Sequence, residues 1–228
     1  MADTSVAVLD SIYNQAMSGI VGSESVQELA EDYLKESGSL SEKVDALIRW
    51  QIAKCGTTGF LTGLGGLLTL PVAISADVGV NLYVQMRMVA AIAYMGGYDI
   101  RNDKVKSFVY LALCGNGMNE VAKSVGIPIA EKIGLNIIKN IPRKFLTQIN
   151  QKVGFRLVTK AGSKGIVNLT KAIPIIGGIV GAGFDAVTTN AVGEAAKKVF
   201  IYNKPPIELT RYVSEDEVPA WAKNSIGD

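Results

Sequence analysis

The fold of this chain is decided by residues 71–97, which read PVAISADVGVNLYVQMRMVAAIAYMGG. A proline suits the first turn of a helix, and a glycine suits the position just after its end. We therefore predict a long helix from about Pro71 to Tyr94, which Gly96 and Gly97 terminate. Most of its side chains are apolar.

Polar residues form a seam along this predicted helix. Asp77, Asn81 and Gln85 follow one another at four-residue steps, which places them on one side of the helix. Arg87 falls on a different side. The helix is thus predicted to carry one narrow polar stripe on an otherwise apolar surface.

A second helix of similar character is predicted after Pro174. It contains Asp185, and Thr189 follows one turn later. The two stretches resemble a degenerate internal repeat of proline, apolar residues, aspartate and a polar residue. The proline and the aspartate are six residues apart in the first stretch and eleven in the second.

Two apolar, glycine-rich runs, residues 55–76 and 172–184, lead into the two aspartates. Each contains glycines four residues apart, a spacing that lets helices approach to backbone contact. The four glycines are Gly59 and Gly63 in the first run and Gly177 and Gly181 in the second. Membrane helices and tightly crossing helices of a soluble protein both explain this spacing. Only the first run is long enough to cross a bilayer.

Helix start signals recur elsewhere, whereas strand signals are scarce. Ser25 with Glu28 and Ser39 with Glu42 fit the capping box, and Asn102 suits a helix N-cap. We predict an all-α fold, a helical bundle with two glycine-rich hydrophobic helical segments.

The chain is expected to hold one main domain with appendages. We divide it into acidic N-terminal helices (1–38), a helical domain (39–202) and a C-terminal tail (203–228), which follows a break at Pro205 and Pro206.

Charge is strongly segregated, although the net charge is only +2. Residues 1–45 carry nine acids and two lysines, a net charge of −7. Residues 132–184 carry nine basic residues and no acid. Such asymmetry steers a protein to anionic lipid or nucleic acid, or lets the two segments pair within the fold. The sparse aromatic residues of the basic segment favour lipid over nucleic acid.

Four of these cations recur at four-residue intervals: Lys152, Arg156, Lys160 and Lys164. On a helix they form a basic stripe, with Ile149, Val153 and Leu157 on a more apolar side. This combination suits a helix lying in the headgroup layer of a membrane. We therefore predict that the stripe binds lipid headgroups.

Composition excludes several classes of enzyme. The chain has no histidine, which excludes Ser-His-Asp and Cys-His catalysis and most catalytic zinc sites. Its two cysteines give no disulfide framework, its acidic start at residues 1–3 lacks the basic and apolar regions of a secretory signal, and no nucleotide-binding loop is recognised. We expect a cytoplasmic protein without a cofactor or a metal. Its mean hydropathy of +0.25 and 19% charged residues favour membrane contact.

Asp77 and Asp185 are the remaining candidates for chemistry. Two carboxyl groups that meet in an apolar site can act as acid and base, as in some hydrolases. A buried aspartate can instead anchor the structure, through helix-terminal amides or a base such as Arg87. The structural role is the preferred interpretation.

Several motifs resemble the bacterial EcsC protein family. They are YMGGYD at residues 94–99 after Arg87, VGFRL at 153–157, KAIP at 171–174 and GAGFD at 181–185. The resemblance spans residues 40–202 and leaves the acidic helices and the tail outside. It implies an all-helical hydrophobic protein, first noted beside an ABC transporter operon, with no established catalytic activity.

The sequence therefore predicts a non-enzymatic protein at the inner face of a bacterial cell membrane, peripheral or partly inserted. Its expected partners are membrane lipids, and a membrane transporter is a further candidate. The alternative is a soluble helical module that holds a lipid or another apolar ligand between glycine-lined helices. A hydrolase that uses the two aspartates is the third hypothesis.

Overall fold

A computed structural model describes residues 2–20, 22–55, 76–127, 135–159 and 182–202. Every regular element within them is helical, which confirms the all-α prediction. The helices are α1 (Ala2–Ser18), α2 (Val26–Leu34), α3 (Leu40–Cys55), α4 (Ala76–Met95), α5 (Asp103–Ala112), α6 (Met118–Ser124), α7 (Leu135–Asn140), α8 (Arg143–Gly154) and α9 (Ala182–Phe200). A 3-10 turn (Gly115–Gly117) precedes α6, and a π turn (Phe155–Thr159) follows α8.

Helix α4 forms the centre of the bundle. Helices α1, α2, α3, α5 and α9 all pack against it. Its segment Val78–Met95 has the length and mean hydropathy, 1.2, of a membrane span, and 83% of that segment is buried inside the protein. The core helix of a soluble bundle has the same composition as a span, so this one helix is weak evidence for membrane crossing.

Helices α4 and α9 lie parallel. The Gln85 side chain donates a hydrogen bond to Thr189, and Gly96 packs against the Phe200 carbonyl so closely that a Cβ there would lie 2.6 Å from the oxygen. Both pairs are separated by 104 residues, so the two helices advance in the same direction and register.

Helix α3 runs antiparallel to α9. Asp45 pairs with Lys197, and further along α3 the Ile48 side chain packs on Gly193. The chain therefore leaves α3 at Cys55 at the end of the bundle where α4 and α9 begin, at Ala76 and Ala182. We call this end of the bundle the entry end.

The predicted helix starts are confirmed. Ser25 and Glu28 form a complete capping box at α2, and Ser39 Oγ accepts from the amide of Glu42, whose carboxylate accepts from Ser39 N at 2.7 Å. Asn102 Oδ1 accepts from Lys104 N at 2.9 Å before α5.

The end of α4 also agrees with the prediction. The helix stops at Met95, and Gly97 has a φ of +77°, the left-handed conformation that glycine adopts easily. The predicted start at Pro71 lies outside the described residues. Most of both glycine-rich runs and the whole C-terminal tail lie outside them as well.

Both acidic N-terminal helices pack on the central helix α4. Side chains of α1 also contact α5 and the turn before it. Tyr13 donates a 2.5 Å hydrogen bond to the Ile100 carbonyl, and its ring meets that of Tyr110 edge to face at 5.7 Å. Asp10 accepts from Tyr110 and pairs with Lys106 at 3.1 Å.

Among the ion pairs of the described residues, none joins the acidic segment 1–45 to the basic segment 132–184.

Candidate functional site

A buried polar contact joins the two parallel helices. Gln85 Nε2 donates to Thr189 Oγ1 at 3.2 Å, and these residues are 8% and 0% exposed. The contact lies on the predicted polar stripe of α4, and the structure directs this part of the stripe toward α9. The sequence pattern singles out both residues but does not pair them.

Asn81 lies one turn before Gln85 on the same side of α4. Its Oδ1 is buried and has no hydrogen-bond partner among the described residues. The offset of 104 residues between α4 and α9 places the Asn81 backbone level with that of Asp185. A buried amide oxygen without a partner is costly, since it loses its hydrogen bonds to water.

The two aspartates occupy the first turns of α4 and α9 at the entry end, and their side chains lie outside the described residues. Asp77 and Asp185 are 108 residues apart, four more than the offset that brings the two helices level. Four residues correspond to about 6 Å along a helix axis. Their backbones are therefore about one turn out of level.

Gln51 on α3 is a further buried polar residue that sequence analysis missed. It is 2% exposed, and its Nε2 has no hydrogen-bond partner among the described residues. The contact between Ile48 and Gly193 places it within about one turn of Thr189 along the bundle axis. Its spacing from Leu47 and Ile48 puts it on the core side of α3, which was the available signal.

We call Gln51, Asn81, Gln85 and Thr189 the polar cluster. Its side chains are two kinds of neutral group, amides and a hydroxyl, which donate and accept hydrogen bonds but supply no acid, base or strong nucleophile at neutral pH. The described residues contain no group of three histidine, cysteine or acidic side chains that could hold a metal ion. The cluster is thus suited to binding or to helix positioning.

Arg87 faces away from this cluster, as the helical spacing predicted. Its guanidinium pairs with Glu24 at 3.3 Å and donates to Ser23 Oγ at 3.1 Å and to Tyr83 Oη at 3.4 Å. Pairing of an aspartate with this base is one of the two structural roles predicted above, and it stays a prediction because the side chains of Asp77 and Asp185 lie outside the described residues. The acid that pairs with Arg87 among the described residues is Glu24, from the connection before α2, because Arg87 points toward α2.

Two members of the predicted headgroup-binding stripe are engaged within the protein. Lys152 Nζ donates to the Ser124 carbonyl at 2.8 Å, and Arg156 pairs with Glu120 at 3.0 Å. The Arg156 guanidinium also lies against Gly117, where any Cβ would overlap it. The other two, Lys160 and Lys164, lie outside the described residues.

The apolar side of this helix does not face outward. Ile149 and Val153 are both 0% exposed and belong to the hydrophobic core. Helix α8 packs on α1 and α5 through its buried side. The expectation that this side contacts acyl chains is therefore wrong, since an amphipathic pattern has the same form whether its apolar side meets lipid or a protein core.

Two cavities among the described residues lie away from the polar cluster. One, of about 110 Å³, is lined by Tyr98, Asn102 and Ile138 near the end of α4. The other, of about 360 Å³, is a surface groove beside Glu120 and Phe155. Neither lies between α4 and α9, where a ligand-binding module would need its cavity.

Searches of curated proteins and of solved structures gave no match. The EcsC protein family model matches residues 3–202, from the first turn of α1 to the end of α9. The match extends farther toward the N terminus than the predicted limits of 40–202, and it includes both acidic helices. Because the match covers most of the sequence, the chain belongs to the EcsC protein family.

Proposed function

We propose that this protein is a non-enzymatic helical protein that binds anionic lipid or a membrane partner at the inner face of the cell membrane. The observation that carries the proposal is the parallel arrangement of α4 and α9. Because both helices begin at the entry end, both glycine-rich runs of the sequence are joined to the bundle there. Two apolar stretches are thereby attached to the bundle at its entry end.

The long apolar helix itself is not the proposed membrane contact. Helix α4 is covered by α1, α2, α3, α5 and α9. Lipid contact is assigned instead to the two glycine-rich runs, residues 55–76 and 172–184, the second taken together with the basic residues 160–171 that lead into it.

The charge of the second run supports an anionic surface as the target. Lys160, Lys164 and Lys171 lie in or beside it, within the acid-free segment 132–184. Basic residues next to an anionic membrane contribute about 1 kcal/mol each to binding. A membrane transporter remains a proposed partner, and it rests on the resemblance described above.

Vesicle flotation tests the proposal. The full chain should float with vesicles of phosphatidylglycerol and phosphatidylcholine and should float less with phosphatidylcholine alone. Binding that falls at high salt would indicate attraction through the cations, and binding that persists would indicate insertion. A protein that floats with neither vesicle overturns the proposal.

A charge-matched comparison sharpens this test. The triple variant K160Q/K164Q/K171Q should bind anionic vesicles more weakly than the triple variant K35Q/R101Q/K123Q. Both variants lose three positive charges, and the second loses them from exposed positions on other elements. Equal loss of binding would show that only the total charge matters.

The alternative, a soluble module that holds an apolar ligand, is favoured by one observation. Gln51 Nε2 and Asn81 Oδ1 are buried without partners among the described residues, and a ligand's polar group could satisfy them. Native mass spectrometry of the purified protein should then reveal a bound molecule that is lost in the double variant Q51M/N81L. Bare protein of the expected mass argues against this alternative.

A further inference from the structure

Trp50 is an exposed aromatic residue close to the entry end. Its side chain is 53% exposed, and the Lys54 ammonium lies 5.4 Å from the centre of its ring. Tryptophan is enriched at membrane interfaces, where its apolar ring and its N–H group match a surface that is apolar on one side and wet on the other. A lysine beside such a ring keeps its aliphatic chain at the same depth and extends its ammonium group toward the headgroups.

The exposure of Trp50 follows from the orientation of α3. Leu47, Ile48 and Gln51 are buried on the side that faces the bundle. Successive helical residues are about 100° apart, so Trp50 lies about 200° from Ile48 and points away from the core. The Trp50 ring is therefore not part of the buried side of α3.

A second exposed apolar side chain lies at the same end of the bundle. Val187 on α9 is 48% exposed. The contact between Ile48 and Gly193 sets the antiparallel register of α3 and α9, and this register places Val187 level with Lys54. Trp50 and Val187 therefore lie within about one helical turn of each other along the bundle axis.

The charges of α3 near Trp50 are basic. Residues 46–76 contain no acid, and their two charges are those of Arg49 and Lys54. Glu24, which pairs with Arg87, is close enough to interact with Lys54, and Asp77 and Asp185 lie in the first turns of α4 and α9 at the same end. The basic charge that complements an anionic layer is therefore carried by α3.

The other two large exposed apolar residues of the described chain have acidic neighbours. Phe155, 55% exposed, lies next to Arg156, which is paired with Glu120. Tyr202, 54% exposed, lies beside Lys197, whose partners are Asp45 and Glu194. Tyr202 follows the end of α9, at the opposite end of the bundle from Trp50.

We propose that Trp50, Val187, Arg49 and Lys54 form an interfacial anchor that seats the entry end in the headgroup layer of an anionic bilayer. The Trp50 ring lies at the boundary of headgroups and acyl chains, and the two cations contact lipid phosphates. The anchor rests on the proposed function and deepens it, because it names the folded surface that meets lipid beside the glycine-rich runs.

Trp50 itself is the probe that tests the anchor. The chain has two tryptophans, so the W221F variant leaves Trp50 as the only one. On addition of vesicles of phosphatidylglycerol and phosphatidylcholine, we expect its emission to shift to shorter wavelength. We also expect quenching by lipids that carry bromine near the headgroup end of the acyl chains.

A matched control places a tryptophan of equal exposure at the other end of the bundle. In the fraction of protein that floats with the vesicles, the variant W50F/W221F/Y202W should show neither the shift nor the quenching. A shift of equal size in both proteins would overturn the anchor, because both ends of the bundle would then respond to the vesicles alike.

Flotation of the same samples separates this inference from the proposed function. Vesicle binding without a response of Trp50 overturns the anchor and leaves the proposed function standing. Absence of binding overturns both. In the W221F background, R49Q/K54Q should weaken the partition of the protein into anionic vesicles by about fivefold per cation removed. An unchanged partition would contradict the role assigned to the two cations.

Discussion

Lys197 Nζ lies 2.5 Å from Asp45 Oδ1, and this contact joins α9 to α3 through a lysine side chain that is only 6% exposed. Burial lowers the pKa of Lys197, but its hydrogen bonds to Asp45 and Tyr202 and the charge of Glu194 offset this effect and raise the pKa overall. The ammonium is therefore held in its charged form inside the bundle by its partners.

We expect Asp45→Asn to destabilise the protein by about 1–3 kcal/mol, because it leaves a buried charge without its closest partner. Urea unfolding measures the change. Asp32→Asn is the matched control, since Asp32 pairs with Lys35 and both side chains are more than half exposed. That control should change stability by less than about 1 kcal/mol. Equal effects of the two substitutions would contradict the role given to the buried pair.

The Gln85–Thr189 contact should behave as a coupled pair. Gln85→Leu and Thr189→Val each remove one side of a buried hydrogen bond, at a cost of about 1–3 kcal/mol. The double variant removes both groups, so its loss of unfolding free energy should be smaller than the sum of the two single losses. A double-mutant cycle in urea gives the coupling energy. Strictly additive effects would show that the two side chains do not depend on each other.

The unpartnered Nε2 of Gln51 predicts a gain in stability on its removal. Gln51→Met keeps the shape of the side chain and removes a buried Nε2 that has no hydrogen bond among the described residues. We expect the free energy of unfolding to rise by about 1 kcal/mol. A loss of stability would show that the amide has a partner in solution, and a search for that partner would then begin at the entry end.

Stability should fall in alkaline solution, in part because of Tyr94. Burial, together with its hydrogen bond to Glu31, raises the pKa of Tyr94 to about 12. A raised pKa stabilises the fold below the unfolded value of about 10, and this contribution is lost as the pH rises from there through the folded value.

Unfolding measurements between about pH 10 and pH 12 test this expectation. Tyr94→Phe should make the decline in stability shallower over that interval. A decline should persist, since burial also raises the pKa values of Tyr13 and Tyr110. An identical slope in wild type and variant would count against the Tyr94 assignment.

Arg156 should be dispensable for lipid binding. Its guanidinium is paired with Glu120 and lies against Gly117, so we expect Arg156→Gln to leave the binding of anionic vesicles unchanged. The charge-matched variant Lys164→Gln should weaken that binding. Flotation of the two variants side by side provides the measurement. A stronger loss with Arg156→Gln would restore this residue to the proposed headgroup-binding set.

Local features of the fold could be predicted from the sequence, and long-range ones could not. The capping boxes at Ser25 and Ser39 and the end of α4 before Gly97 depend on residues only a few positions apart, so the sequence shows them directly. The pairing of Gln85 with Thr189 depends on a helix register set by contacts 104 residues apart. No local pattern encodes that register.

Two misjudgements have the same physical origin. The buried side of α8, with Ile149 and Val153, is an amphipathic pattern, and such a pattern does not identify what covers it. Gln51 was missed because a single polar residue on an apolar side resembles an interruption in the pattern. The structure shows that Gln51 is buried, and this burial identifies it as a member of the polar cluster.

The parallel pairing of α4 and α9 also has a consequence for synthesis on the ribosome. Helices α1, α2 and α3 precede α4 in the chain and are available to cover it as soon as it emerges. The side of α4 that packs on α9 must wait for a partner 104 residues downstream. At about 5–20 residues per second, that side of α4 stays uncovered for about 5–20 seconds in each newly made molecule.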